Sequence, residues 1–216
     1  MQPAVVVFDF DGTLVHGDSV ARFAVGYLLR RPLRLACLLP FLPLCLVLLL
    51  GRSTISVGVS FFWWLLSFGT PARPLAAALV RYVDTVLAKR GNAAALAAFA
   101  SHLARGDRVL VATAAPPLIV RRFLRAKGLP AVSVVGTRLL RRSGGLVARP
   151  HCIGQTKVVE LERRHGLTEW AEVYSDSALD LPILLRARAV TLVEPSASGR
   201  ARVERALAKG VSLRVL

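Results

Sequence analysis

The sequence has 216 residues, enough for one good core and a smaller appendage. Its hydrophobic content of 54% and mean hydropathy of +0.53 exceed what a soluble domain carries, so some apolar surface is expected to face something other than protein. A net charge of +16, from 29 Lys+Arg against 13 Asp+Glu, calls for anionic partners; with no aromatic-interleaved basic stripe and no zinc-finger spacing, a phospholipid surface is favoured and nucleic acid is set aside.

The first predicted element is the β-branched run Val5-Val6-Val7-Phe8, which ends abruptly in Asp9-Phe10-Asp11-Gly12-Thr13-Leu14. A short apolar run bounded by Asp and Gly suits a central parallel strand, and ligands of open α/β sheets sit where such strands end. The i, i+2 spacing sends the Asp9 and Asp11 side chains to one side, and Gly12 lets the backbone turn away. Two neighbouring carboxylates need a cation, a proton or both between them, as in a metal-assisted phosphoryl-transfer site. Alternatively the pair caps a turn and the helix that follows. An apolar run broken so early by Asp9 is not a signal peptide.

Asp18 or Ser19 is placed to cap a helix from Ala21 to Arg31, with His16 as a loop residue rather than a ligand. Composition then changes. Leu35 to Leu50 gives 16 residues without a charge and Ile55 to Ala72 gives 18, separated by Gly51-Arg52-Ser53-Thr54. Sixteen helical residues span roughly 24 Å, short of a hydrocarbon core of about 30 Å. If the opening strand shares a sheet with later ones, the chain must return to its starting side. A hairpin of two arms turning at Arg52 meets both conditions, with Pro40 and Pro43 expected to kink the first arm. Ser56, Gly58 and Ser60 offer small residues where the arms could pack. Trp63 and Trp64 lie in mid-arm, which favours a shallow interfacial hairpin over two full spans. Arg30, Arg31, Arg34 and Arg73 lie at its base, suited to anionic headgroups on the cytoplasmic side. A buried helical subdomain of a soluble protein is the competing reading.

Helices are predicted over Pro74 to Lys89 and Asn92 to Ala104. A second buried strand, Arg108 to Thr113, runs into Ala114-Ala115-Pro116-Pro117 and a helix from Leu118 to Lys127. A Thr at a strand end ahead of a helix N-terminus can hold a phosphate, and is equally placed as a plain helix cap. Ala131 to Val135 predicts a third strand, and Arg138 to Val147 a basic hairpin turning at Ser143-Gly144-Gly145. Cys152 to Lys157 leads into an amphipathic helix that ends near Gly166. Lys157 in its first turn opposes the helix dipole, which suggests that it serves an anion. Glu172 to Ser175 predicts a fourth strand delivering Asp176 and Asp180, four residues apart on one helical face. Val190 to Val193 predicts a fifth strand and Arg200 to Lys209 a last helix. Cys37, Cys45 and Cys152 form no disulfide framework or CxxC knuckle and read as reduced thiols. The alternation of strand and helix says α/β with a mainly parallel, Rossmann-like sheet.

Taken together, Asp9-Phe10-Asp11-Gly12-Thr13-Leu14, Thr113, Lys157 and Asp176 to Asp180 resemble the four motifs of the haloacid dehalogenase superfamily, in order and over nearly the whole chain. A narrower resemblance, to the phosphatidylglycerophosphatase branch, is carried by Tyr27-Leu28-Leu29-Arg30-Arg31-Pro32, Ser67-Phe68-Gly69, Gly154 to Val158 with Leu161-Glu162-Arg163, and Tyr174-Ser175-Asp176-Ser177. The resemblance implies the haloacid dehalogenase fold with an apolar helical-hairpin cap. Residues 1–20 would start the core, 21–105 would form the cap with its membrane hairpin at about 35–72, and 106–216 would complete the core. It implies Asp9 as nucleophile, Asp11 as acid/base, and Thr113, Ala114 and Lys157 on the phosphate. Mg²⁺ would be held by Asp9, Asp11 and Asp176, with Asp180 behind Lys157. Ala114-Ala115 departs from the Gly-Ser or Gly-Asn frequent in relatives and removes a side-chain donor. The implied activity is Mg²⁺-dependent hydrolysis of a membrane lipid phosphate monoester at the cytosolic face of a bacterial inner membrane. The competing readings are a phosphatase for a small soluble phosphomonoester such as phosphoserine, and a non-catalytic membrane-attached binding protein.

Overall fold

In the computed structural model, which describes residues 3–51, 53–208 and 210–216, strand β1 (Val5–Phe8) lies at the middle of a six-stranded sheet. The Arg52 turn expected from the sequence falls outside the described residues, as does Lys209; the last helix, expected over Arg200 to Lys209, runs from Ala197 to Ala206. Alternation along β1 serves two cores. Val6 and Phe8 join one apolar cluster, and Val7 joins another on the opposite face. The other strands are β2 (Arg108–Thr113), β3 (Ser133–Gly136), β6 (Trp170–Ser175), β7 (Ala187–Leu192) and β8 (Ser212–Val215), in the order β3-β2-β1-β6-β7-β8. Every pairing is parallel; Phe8 stands beside Val111 of β2 and Tyr174 of β6. The strand order reverses beside β1, and the crevice at such a switch point is where α/β sheets bind ligands. The sequence predicts five of these strands. The sixth, β8, is a largely exposed edge strand whose Ser212 and Arg214 give no apolar run.

Helices cover both faces. On one, α6 (Ala93–Ala104) and α7 (Pro117–Ala126) pack on the strands through residues such as Phe99 and Phe123; α5 (Ala72–Thr85) packs on α7 and α1 (Ser19–Leu29) on α5, extending the same apolar cluster with Leu79 and Phe23. The other is packed by α8 (Gln155–His165), α9 (Leu181–Leu184) and α10 (Ala197–Ala206), through Val158, Ile183 and Val203. Phe8 stacks on Tyr174 at 4.2 Å and meets Phe99 edge-on at 5.1 Å, tying β1, β6 and α6 together.

Between α1 and α5 lies the apolar excursion. Helices α2 (Pro32–Leu38) and α3 (Leu42–Leu50) are joined without a break by a 3-10 turn at Leu39–Phe41. They make one 19-residue run, Pro32–Leu50, with mean hydropathy 2.5 and 11% of its most apolar window buried. At about 1.5 Å per residue it is roughly 28 Å long. One sequence expectation is corrected here: the run begins at Pro32 and is longer than the 16 uncharged residues suggest. Pro40 and Pro43 each open a turn, where a missing N–H costs nothing, and the helix departs from α geometry at the 3-10 turn that holds Pro40.

The second arm, α4 (Ile55–Ser67), is a different object. It docks on a two-stranded antiparallel hairpin, β4 (Leu139–Arg142) with β5 (Gly145–Ala148). Ser60 Oγ donates to the Ala148 carbonyl at 2.9 Å, and Ser67 Oγ accepts from the Leu146 N–H at 2.7 Å. Of the three small residues, Gly58 lies against the first arm: a Cβ there would touch Leu48 at 3.0 Å. Trp63 is fully buried, and Trp64 donates from Nε1 to the Ser143 carbonyl at 3.0 Å. The two tryptophans therefore pack against the protein and carry no argument for an interfacial depth. The outward apolar surface is the α2–α3 rod, with Leu33 and Leu50 85% and 84% exposed. After α4 the chain turns by 104° into α5.

Candidate active site

Backbone geometry at the end of β1 delivers the first two acids. The Asp9 N–H bonds the Tyr174 carbonyl at 2.9 Å, the last rung of the sheet. Phe10 then buries its ring edge-on against Phe123, which turns Asp9 and Asp11 the other way. The N–H groups of Thr13, Leu14 and Val15 close on the Phe10 carbonyl, and Gly12 takes φ +76°, the left-handed turn that glycine adopts without strain. Asp18 caps α1 by accepting from the Ala21 N–H at 2.8 Å. Asp11 accepts from the Ser19 N–H at 2.8 Å, so its carboxylate sits at the positive end of that helix.

Thr113 ends β2, fully buried, its Oγ accepting from the Ala115 N–H at 2.9 Å. This is the turn-stabilising geometry, and it leaves the hydroxyl its own proton to donate; Thr113 and Ala114 both line the cavity. Lys157 lies in the first turn of α8, and Nζ donates to Asp9 Oδ1 at 2.7 Å and to Asp180 Oδ2 at 2.9 Å. Asp176 follows β6 directly. The Ser175 Oγ donates to Asp180 Oδ2 at 2.8 Å, so the last residue of β6 fixes the carboxylate that fixes Lys157. Ser175 was not picked out from the sequence as a site residue, although its place at an acid-bearing strand end was the available signal.

These side chains line one cavity of about 290 Å³. Asp9, Asp11, Thr113, Ala114, Lys157, Asp176 and Asp180 all reach it. His16 does not; it faces Glu194 at 3.3 Å. Burial dominates the electrostatics. It raises the Asp9 carboxyl well above its ordinary value, against the attraction of Lys157 and with the repulsion of Asp180. It raises Asp11 to about 7 and Asp176 to about 6. For Lys157, burial pulls the other way, but Asp180 and Asp9 outweigh it and hold the ammonium above its usual value. Four acids thus surround a single lysine, a surplus of negative charge.

That surplus suits a divalent cation. A Cβ on Gly12 would lie 2.2 Å from Asp176 Oδ2, so the missing side chain makes the space in which this carboxylate stands. Asp176 has no ion-pair partner among the described residues. Nor, among the described residues, do three His, Cys, Asp or Glu side chains form a ready metal cage. A cation here would rely on the Asp9 and Asp176 carboxylates, the Asp11 backbone carbonyl and water, a hard-oxygen set fitted to Mg²⁺.

Comparison with known proteins places this geometry in context. A crystal structure of a Bordetella pertussis Tohama I protein of unknown function superimposes with TM-score 0.75 at 21% identity, covering 99% of each chain. A substrate-bound phosphoserine phosphatase matches with TM-score 0.60 at 15% identity, over 94% of this chain and 91% of that one. A phosphoserine phosphatase captured as a phospho-aspartyl intermediate analogue matches with TM-score 0.58 at 16% identity, over 100% and 94%. At such identities these likenesses speak for the fold. The sequence profile of the haloacid dehalogenase-like hydrolases matches residues 6–185, from β1 to just past α9, and the chain therefore belongs to the haloacid dehalogenase-like hydrolase family.

Proposed function

We propose that this hydrolase is a Mg²⁺-dependent phosphatase that cleaves a phosphate monoester from a membrane lipid, with phosphatidylglycerophosphate as the substrate and phosphatidylglycerol as the product, as in phosphatidylglycerophosphatase C. The observation that carries the lipid assignment is the α2–α3 rod: an exposed, roughly 28 Å apolar run inserted between the two acid-bearing strands. On this reading the rod seats in the inner leaflet of a bacterial cytoplasmic membrane, with the cavity on the cytosolic side.

The chemistry follows from the side chains. Asp9 forms a bond from a carboxylate oxygen to phosphorus while the ester oxygen leaves with its electron pair. Asp11, with a carboxyl raised to about 7, holds a proton near neutral pH and gives it to that leaving alkoxide. Water then attacks the aspartyl-phosphate and its proton passes to the Asp11 carboxylate, which releases Asp9 and inorganic phosphate. Lys157 and the Thr113 hydroxyl face the equatorial oxygens. The Ala114 side chain donates nothing, so only its backbone N–H is left to serve the phosphate. Mg²⁺, which the Asp9 and Asp176 carboxylates and the Asp11 carbonyl would hold, would supply positive charge to the site and favour the ionised Asp9 carboxylate. Asp180, held by Ser175, keeps Lys157 aimed into the cavity.

A second reading is supported by the phosphoserine phosphatases among the similar folds: a small soluble phosphomonoester as substrate, with the rod as an anchor. Phosphate release from phosphatidylglycerophosphate in mixed micelles, with phosphoserine as competitor, separates the two. The lipid reading expects Mg²⁺-dependent release from the lipid, and a fall of about 10⁴-fold in kcat for Asp9→Asn. Release from phosphoserine alone favours the second reading. Release from neither, with Asp9→Asn indistinguishable from wild type, leaves a non-catalytic membrane-attached protein.

A further inference from the structure

Between α1 and α5 runs a groove of about 510 Å³ that the chemistry above does not use. Four arginines line it: Arg22, Arg30, Arg31 and Arg81. Among the described residues none of them lies within ion-pair distance of a carboxylate. Two phenols line it as well, Tyr27 and Tyr82, and the hydroxyl oxygen of each is buried without a hydrogen-bond partner. An unpartnered buried hydroxyl costs free energy unless a ligand satisfies it. Burial lifts the Tyr82 phenol to about 12, so it stays a donor at any physiological pH. Unpaired guanidinium groups and idle hydroxyl donors make an anion site with bidentate reach.

Two neighbours define the anion. Arg22 borders the catalytic cavity: its Nη2 lies 3.5 Å from where a Cβ on Gly17 would be, and Gly17 lines that cavity. Arg31 borders a third, apolar cavity of about 720 Å³, lined by Leu33, Leu38, Phe41 and Leu65 under the rod. Arg31 also stacks on the Tyr27 ring at 3.9 Å, which holds its guanidinium between the polar and apolar spaces. The groove thus lies between a phosphomonoester site and a slot for a hydrocarbon chain.

We propose that the α1–α5 groove binds a phosphodiester borne on an acyl-chain lipid, with Arg22, Arg30, Arg31, Arg81 and the Tyr27 and Tyr82 hydroxyls as its donors. The identity of the bound molecule rests on the lipid-phosphatase reading; the anion site itself does not. The diester could belong to the substrate, one phosphate group along from the scissile one, or to a bulk anionic lipid beside it.

The test uses the full chain and two variants, Arg30→Ala/Arg81→Ala and Tyr82→Phe, the second deleting one oxygen and no charge. In neutral-detergent micelles, the ratio of kcat/KM for phosphatidylglycerophosphate over phosphatidic acid, which lacks the diester, is compared with wild type. In parallel, flotation on phosphatidylglycerol-containing vesicles is measured against pure phosphatidylcholine vesicles. A substrate diester is expected to lower the ratio about tenfold in the arginine variant and about threefold in Tyr82→Phe. A bulk lipid in the groove leaves the ratio unchanged and removes the phosphatidylglycerol-dependent part of flotation in both variants. If both variants keep the wild-type ratio and the wild-type flotation, or if flotation responds to the arginines but not to Tyr82→Phe, the groove is not an anion site. The flotation arm decides this even if the wild type turns over no lipid.

Discussion

Burial raises the Asp11 carboxyl to about 7 and the Asp176 carboxyl to about 6. A group whose folded pKa is raised contributes stability that is complete below its unfolded pKa, near 4, and lost as pH rises through the folded value. For Asp11 the difference amounts to up to about 4 kcal/mol. The metal-free protein is therefore expected to unfold at a lower temperature at pH 8 than at pH 5. Mg²⁺ should raise the melting temperature strongly at pH 8 and little at pH 5, as measured by thermal scans in EDTA and in Mg²⁺. A melting temperature that climbed from pH 5 to pH 8 without metal would contradict this assignment of charge. At this scale most of the cavity was legible in the sequence. Asp9, Asp11, Thr113 and Asp176 are strand-end residues, and strand ends show as abrupt polarity after an apolar run. The Lys157–Asp180 contact spans 23 positions and was implied by the family resemblance; the residues alone offered only a cation placed against a helix dipole. Of the groove, Arg30 and Arg31 were legible as cations at the base of the apolar excursion; their meeting with Arg22 and Arg81 was not, because α1 and α5 lie about fifty residues apart.

The α4 helix shows where reading by element falls short. An uncharged run of this length fits lipid and protein equally well, and its hydropathy cannot tell which will cover it. The cover is the β4–β5 hairpin, contributed from about eighty residues downstream. The closest point of that contact is Gly145, where a Cβ would lie 2.6 Å from the Trp64 ring. Gly145→Ala is expected to lift the hairpin off α4 and to destabilise the protein by about 1–3 kcal/mol, read by thermal unfolding in detergent. An unchanged melting temperature would mean that α4 is not held by the hairpin. Strand β8 escaped prediction for the opposite reason: an edge strand needs few apolar side chains, so Ser212-Leu213-Arg214-Val215 carries little signal.

On the scale of the whole molecule, one long rod stands apart from a sheet that is otherwise well covered. Leu46, Val47 and Leu50 are 60%, 66% and 84% exposed on it. Replacing all three with Gln should abolish flotation on phosphatidylcholine vesicles. The melting temperature should stay within about 2 °C, since exposed side chains contribute little to folding. Retained flotation would remove the rod as the membrane contact. The fold class and the α/β alternation were readable because each strand and helix writes its own period into the sequence; the division of labour between the two apolar arms was not, because it depends on a distant hairpin. The sheet order has a further consequence, for synthesis. Asp9 is made first, but β1 stays open on one flank until β6 arrives, and the lysine that pairs with Asp9 lies 148 residues later. At about 5–20 residues per second, the ribosome takes roughly 7–30 s to close that interval. The apolar rod leaves the ribosome early in that interval, so on the lipid reading the nascent chain can be tethered to its membrane before the sheet has closed around the nucleophile. Hydrolytic competence would then be acquired in place, at the bilayer surface, and not carried there from the cytosol.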